Sequence, residues 1–335
     1  MTKRINVPLV HKLVSQATSL AVVSDFLKSR DLPHSAGSWD EMYERRIQPA
    51  LQDGRLSVTE FVDLLRTVEE YGKQHIFLFK LKPAVAAALI DASHIKRVLA
   101  SLDLEDLLSL PRVFEMPQHP SFADVRWQAN GHELVIKEIL TRESFEFAGE
   151  TTDGDVIQRT FKKVRERVVN VGVLRKNGTF ELRMNSRRGS SRYDEDLKLL
   201  TARWKPLVDI GAMIPVSLAK AKKSLWTERK ALAKKIRYSD VTVRNDDDIS
   251  LKAFGNADTA NVAGNAAAQH SVDTFLKNDG YCDSSNIWFT KVEGGLPSRD
   301  IHVVLQGAHN EFAVPTNCSQ ADYEYVLSEL LGLNT

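Results

Sequence analysis

Between Ser217 and Arg237, Lys220, Lys223, Lys230, Lys234 and Arg237 recur at steps compatible with three- and four-residue spacing, with Thr227 filling the gap. That spacing places them on one side of a helix whose other side is Leu218, Ala221, Leu225, Leu232 and Ile236. A continuous cationic ridge of this kind contacts phosphate through point charges and hydrogen-bond donors. Upstream, Ser186-Arg187-Arg188-Gly189-Ser190-Ser191-Arg192 offers guanidinium forks and hydroxyls, and its glycine allows close backbone approach. Lys162, Lys163, Arg165 and Arg167 precede the same region. Strand edge, Arg/Ser/Gly loop and lysine ridge are therefore expected to converge in one basic groove.

The charge distribution supports this concentration. The 335 residues hold 45 Lys/Arg and 44 Asp/Glu, a net +1. Residues 1–158 sum to −5, residues 159–244 to +15, and residues 245–335 to −9. An excess of that size in one stretch points to a polyanionic partner: nucleic acid, phosphoinositide or an acidic protein. The alternative is a basic surface satisfied internally by the acidic last third.

Catalytic patterns are incomplete. Gly149 to Gly154 has the glycine spacing of a phosphate loop, but Asp155-Val156 stands where Lys-Ser/Thr is needed, so a turn is expected. His132-Glu133 begins like a zinc-protease motif, yet position 136 is Ile and the segment alternates like a strand. Asp194, Asp196 and Lys198 match the residue types of restriction-like nucleases, in which carboxylates hold magnesium, but they open a helix, where acids also serve the dipole. Cys282, His302 and His309 are candidates for a thiol nucleophile and its base with no supporting pattern, and Asp246 to Asp248 suit a solvated linker better than an ion site. No cofactor or metal is implied.

The elements that position these residues divide the chain into three expected domains. Residues 1–115 read as helical, with capping boxes at Ser38/Glu41 and Ser57/Glu60, a short apolar run His75 to Phe79, and Pro83 opening an Ala-rich helix. Residues 121–244 switch to a period of two. Asn130-Gly131 and Asn177-Gly178 mark hairpins with two-residue turns, pairing Val125 and Trp127 with Ile136 and Leu134, and Val171 and Val173 with Met184 and Leu182. Phe145 and Phe147 continue the alternation, giving an antiparallel sheet of four or more strands covered by helices, one of them Asp194 to Leu207. A linker is expected at about 245–262, then a small acidic α+β domain over 255–335. The fold class is α+β.

With 43% hydrophobic residues and 27% charged, the chain has the composition of a globular protein. Two cysteines and no long apolar run predict a reducing cytoplasmic compartment, or the nucleus in a eukaryote, and no membrane span. Residues 22–47, from Val22-Val23-Ser24-Asp25-Phe26-Leu27 through Leu32-Pro33 and Gly37 to Met42-Tyr43-Glu44-Arg45-Arg46-Ile47, resemble a SAP-type helix-loop-helix, a small DNA-binding module. Trp39 and Asp40 stand where that family usually places a lysine. Over residues 20–240, the order of helical domain, apolar strand, twin hairpins and basic helix resembles the CENP-N family of centromeric nucleosome-binding proteins. Both resemblances imply contact with DNA or chromatin. The expected function is non-enzymatic binding or organising of nucleic acid, with duplex DNA the expected form, through a basic groove and lysine ridge on the middle domain, and a protein partner is a further expectation for the N-terminal or C-terminal domain. The alternatives are a metal-dependent nuclease and a scaffold for an acidic protein.

Overall fold

The computed structural model describes residues 5–186, 193–257, 259–306 and 310–335. Its fold is α+β. The N-terminal layer contains α1 (Val7–Ala17), α2 (Leu20–Lys28) and α3 (Trp39–Met42), which runs through a π-helical turn into α4 (Gln48–Gln52), and then α5 (Val58–Glu70). Apolar residues at helical spacing, among them Val10, Leu13, Leu27, Ile47, Phe61 and Leu65, gather in a core of their own. Ser57 and Glu60 form the full capping box that starts α5. At Ser38 only half of it forms, because Glu41 turns its carboxylate to the Gly37 N–H at 2.8 Å.

One antiparallel sheet runs through the rest. Its strands are β1 (Gly72–Lys80), then, after α6 (Pro83–Ile90) and α7 (Ala92–Ser101), β2 (Ser121–Gln128), β3 (Glu133–Asp153), β4 (Val156–Arg175) and β5 (Thr179–Asn185). There follow α8 (Asp194–Trp204), β6 (Ile214–Pro215), α9 (Ala219–Thr227), α10 (Arg229–Leu232), β7 (Ile236–Arg244), β8 (Ser250–Phe254), α11 (Ala266–Lys277), β9 (Tyr281–Phe289), β10 (Ile301–Leu305), β11 (Glu311–Asn317) and α12 (Gln320–Gly332). The order across the sheet is β2-β3-β4-β5-β1-β11-β10-β9-β7-β8, with the short β6 also on β1. The apolar run at His75 to Phe79 is thus the central strand. It joins β5 on one side to β11 on the other, so strands from all three expected segments share one sheet.

Three local expectations are corrected. The first hairpin has the expected register, Val125 opposite Ile136 and Trp127 opposite Leu134. The second is shifted by one residue: Val171 faces Arg183 and Val173 faces Glu181, while Leu182 faces Gly172. Its turn runs from Arg175 to Gly178, closed by the Gly178 N–H on the Arg175 carbonyl, so Asn177-Gly178 is not the centre of a two-residue loop. A one-residue shift exchanges the faces of a strand. Second, the basic helix expected over Ser217 to Arg237 breaks at Glu228, and Ile236 and Arg237 already belong to β7. Third, the stretch 245–262, expected as a linker, holds the β7–β8 turn and strand β8 itself.

The two faces of the sheet are covered differently. Phe77, Phe79, Leu134, Ile136 and Leu182 lie under α6, α7 and α8, with Trp204 fully buried at the centre. On the other face, Ile76, Tyr238, Ile287, Val303 and Phe312 lie under α9, α11 and α12. Beyond the covered region, β3 and β4 continue as a two-stranded arm from about residue 143 to residue 163, exposed on both faces and closed at Gly154-Asp155. Phe145 and Phe147 sit on this arm, 69% and 60% exposed, rather than in a core. Among the described residues, no helix is long and apolar enough to cross a membrane.

Candidate nucleic-acid interface

Antiparallel pairing cancels much of the charge that the linear sequence segregates. On the arm, β3 contributes Glu143, Glu146 and Glu150, and β4 contributes Arg159, Lys162, Lys163 and Arg165 directly across from or next to them. Lys163 Nζ lies 2.7 Å and Arg165 Nε 3.0 Å from the Glu143 carboxylate, and Arg159 Nε lies 2.7 Å from Glu150. The Lys163 hydrogen bond lowers the pKa of Glu143, with Arg165 acting in the same direction. Three of the arm's basic residues therefore serve cross-strand pairs. The face they share also carries Phe145, Phe147 and Phe161, the last two edge to face at 6.1 Å.

Arginines elsewhere in the basic segment are held the same way, many by partners from outside it. Arg167 pairs with Glu69 of α5. Arg175 bridges Glu133, Glu181 and Glu324. Arg203 meets Glu138 at 2.7 Å, Arg229 meets Asp273 at 2.6 Å, and Arg244 meets Asp248 at 2.9 Å and Asp283 at 3.3 Å. Arg183 is 1% exposed, set against Glu181 at 2.9 Å and packed on the rings of Tyr71 and Tyr323. Planar guanidinium forks suit such multiple pairing, which a lysine cannot match.

Lys163 and Lys235 are paired in the same way, with Glu143 and Glu329, but four other lysines are not. Lys220 and Lys223 on α9, Lys230 on α10 and Lys234 just before β7 are all exposed. Among the described residues, Lys223, Lys230 and Lys234 have no carboxylate within the 4.0 Å ion-pair distance, and Lys220 reaches the backbone carbonyl of Thr335. Arg237 has a separate setting. It lies over the Trp288 ring at 5.1 Å, and Trp288 stacks on His302 at 4.6 Å, on the sheet face of β7, β9 and β10. Arg187, Arg188 and Arg192 lie outside the described residues. The described members of the expected groove sit on three elements: the arm, the lysine-bearing α9–α10 segment and the Arg237 face of β7.

Lys220 and Lys223 also border a cavity of about 900 Å³ between α9, α11 and the start of β9. Lys222 and Lys277 join them there, beside Trp226 and Tyr281. Lys222 was passed over in the sequence because it falls off the three-and-four spacing of the ridge. Lys277 gave no signal, since only the fold brings α11 to α9.

The catalytic candidates are scattered. Asp194 and Asp196 open α8, and Asp196 lies 3.4 Å from Arg142. Cys282 is buried on β9 opposite Val243, and burial pushes its thiol up to about 11, away from a reactive thiolate. His302 is lowered by desolvation, and His309 lies outside the described residues. Among the described residues, no three His, Cys, Asp or Glu side chains are grouped to hold a metal ion. In comparisons with known proteins, the chain matches no protein-family model and no curated protein sequence.

Proposed function

We propose that this chain is a non-enzymatic nucleic-acid-binding protein that holds the phosphate backbone of duplex DNA through Lys220, Lys223, Lys230 and Lys234. The observation that carries this reading is local: the arginines named above, and Lys163 and Lys235, are engaged with carboxylates, whereas these four lysines stand exposed along α9, α10 and the approach to β7. Mobile ammonium groups in water neutralise phosphate without reading base edges, so binding has little sequence preference. The SAP-like segment and the CENP-N-like layout point to the same class of partner. Arg237, beside Trp288, adds a cation at the edge of an aromatic stack.

The deciding experiment is a duplex-DNA titration at several salt concentrations. Neutralising about five phosphates gives a slope of log K against log salt near −4 to −5. Replacing Lys220, Lys223 and Lys230 together with Glu is expected to abolish binding with the melting temperature unchanged. A flat salt response, or full affinity in the folded triple variant, would overturn the proposal. Magnesium or manganese is expected to leave the DNA intact. Degradation that disappears when Asp194 and Asp196 become Asn would replace the binding function with a nuclease.

A further inference from the structure

We propose that the cavity between α9, α11 and β9 is a nucleotide-binding site, with phosphate held by its lysines and a flat heterocycle lodged against its apolar lining. This inference stands on the cavity itself and not on the reading of the exposed lysines as a DNA surface. The volume of about 900 Å³ lies within the range that small-molecule sites occupy.

The charge around the cavity is unevenly balanced. Lys220, Lys222, Lys223 and Lys277 face three carboxylates, those of Asp246, Asp273 and Asp283. Two of the three are already answered by arginines that do not line the space: Asp273 by Arg229 at 2.6 Å and Asp283 by Arg244 at 3.3 Å. Asp273 also accepts the Trp226 indole N–H at 2.8 Å. With Lys220 already directed to the Thr335 oxygen, Lys222, Lys223 and Lys277 stand against one unanswered carboxylate, Asp246, and a cationic surplus remains for an anion to enter.

Lys222 gives the site its depth. It is 3% exposed, and its ammonium donates to a neutral acceptor, the Asp283 carbonyl oxygen, at 2.8 Å. Burial lowers its pKa, with Asp283 and Glu311 acting the other way, so an anion bound beside it would offset the desolvation of its charge. The rest of the lining selects more than an anion. Leu276 supplies apolar lining beside Trp226, which is itself 1% exposed, and Tyr281, 43% exposed, offers a ring on which a base can stack. Phosphate and heterocycle together are the chemistry of a nucleotide, free or at the end of a strand.

Calorimetric titration with AMP, ATP and inorganic phosphate tests the site. Saturable binding of AMP or ATP is expected, about tenfold or more tighter than inorganic phosphate. Lys222→Met, which removes charge while keeping volume, and Lys277→Glu, at an exposed position, should each weaken AMP about tenfold or more, and Tyr281→Ala should weaken it several-fold. If Lys222→Met fails to fold, the two exposed variants carry the test. No saturable binding in the millimolar range, equal affinity for phosphate and AMP, or unchanged affinity in the folded variants would overturn the proposal. Lys230 and Lys234 are outside the lining, so Lys230→Glu with Lys234→Glu should weaken duplex DNA and spare AMP; this separates failure of the site from failure of the DNA surface. A 5′-phosphorylated oligonucleotide then assigns the source: displacement of AMP identifies a strand end as the ligand, and no displacement identifies the free nucleotide.

Discussion

Glu70, the last residue of α5, receives both terminal nitrogens of Arg126 from β2, at 2.6 and 3.1 Å. The carboxylate is 1% exposed and also faces Lys137 of β3 at 3.5 Å, so a buried, paired charge clamps the N-terminal helical layer to the outer sheet. Burial alone would raise the Glu70 pKa, but Arg126 and Lys137 outweigh it and hold the group at about 2. Against an ordinary 4.5, a folded pKa this low means that the stabilisation is fully present above about pH 4.5 and is lost as pH falls toward 2. Its size is on the order of 3 kcal/mol. Equilibrium unfolding from pH 6 down to about pH 2 should show this acid-side loss, and Glu70→Gln should flatten it while lowering stability at neutral pH by about 3–5 kcal/mol, because Arg126 and Lys137 keep their charge in a buried place. A variant as stable as the parent at neutral pH would show that the clamp contributes nothing.

Gly178 ends the second turn at φ 89°, and a Cβ there would sit 2.1 Å from the Leu81 carbonyl oxygen. The Leu81 N–H in turn donates to the Gly178 carbonyl at 2.8 Å, so neither segment can retreat without losing that bond. Gly178→Ala is expected to cost about 2–4 kcal/mol, measured by denaturant unfolding. A change below measurement error would mean the turn relaxes freely.

Both cysteines are buried, with Cys282 pushed to about 11 and Cys318 to about 12, chiefly by desolvation. At pH 8 iodoacetamide should leave the native protein unmodified and label both thiols only after unfolding. Rapid native labelling of Cys282, which borders the α9–α11 cavity, would show that its thiol is reached from that side.

The arm is expected to be dispensable for stability. Replacing residues 146–162 by a short turn removes side chains that are mostly exposed, so the melting temperature should stay within about 2 °C of the parent. Affinity for duplex DNA should also persist, because Arg159, Lys163 and Arg165 already answer Glu150 and Glu143. Loss of DNA binding in the shortened, folded protein would move the interface from α9–α10 to the arm.

Local patterns were legible where one interaction dominates. The capping box at Ser57, the start of α8 at Asp194, and the Val125–Ile136 register follow from neighbours close in sequence. The second hairpin was misjudged because its turn answers to distant groups: the Lys176 N–H bonds the His132 carbonyl, and Gly178 abuts Leu81. The basic helix was drawn too long because lysine spacing cannot register the break at Glu228 or the pairing of Ile236 with Phe289. Charge counting located the basic residues correctly but not their partners. Glu69, Glu138 and Glu324 come from other parts of the chain and reach Arg167, Arg203 and Arg175 only through the fold. The cavity follows the same rule, since Lys277 and Tyr281 meet α9 only in space.

The central place of β1 sets an order of events during synthesis. The strand leaves the ribosome early, yet its partner β5 follows about 100 residues later and its other partner, β11, about 230 residues later. At about 5–20 residues per second, the β11 side of Ile76 and Leu78 waits roughly 10–50 s for its ladder. The half-sheet of β1 to β5 can close first against α6, α7 and α8, leaving an apolar strand edge to be guarded until Phe312 and Val314 arrive. A chain stalled or cut anywhere between β5 and β11 would carry that edge open, and such fragments are the ones that a cell's chaperones and proteases must catch.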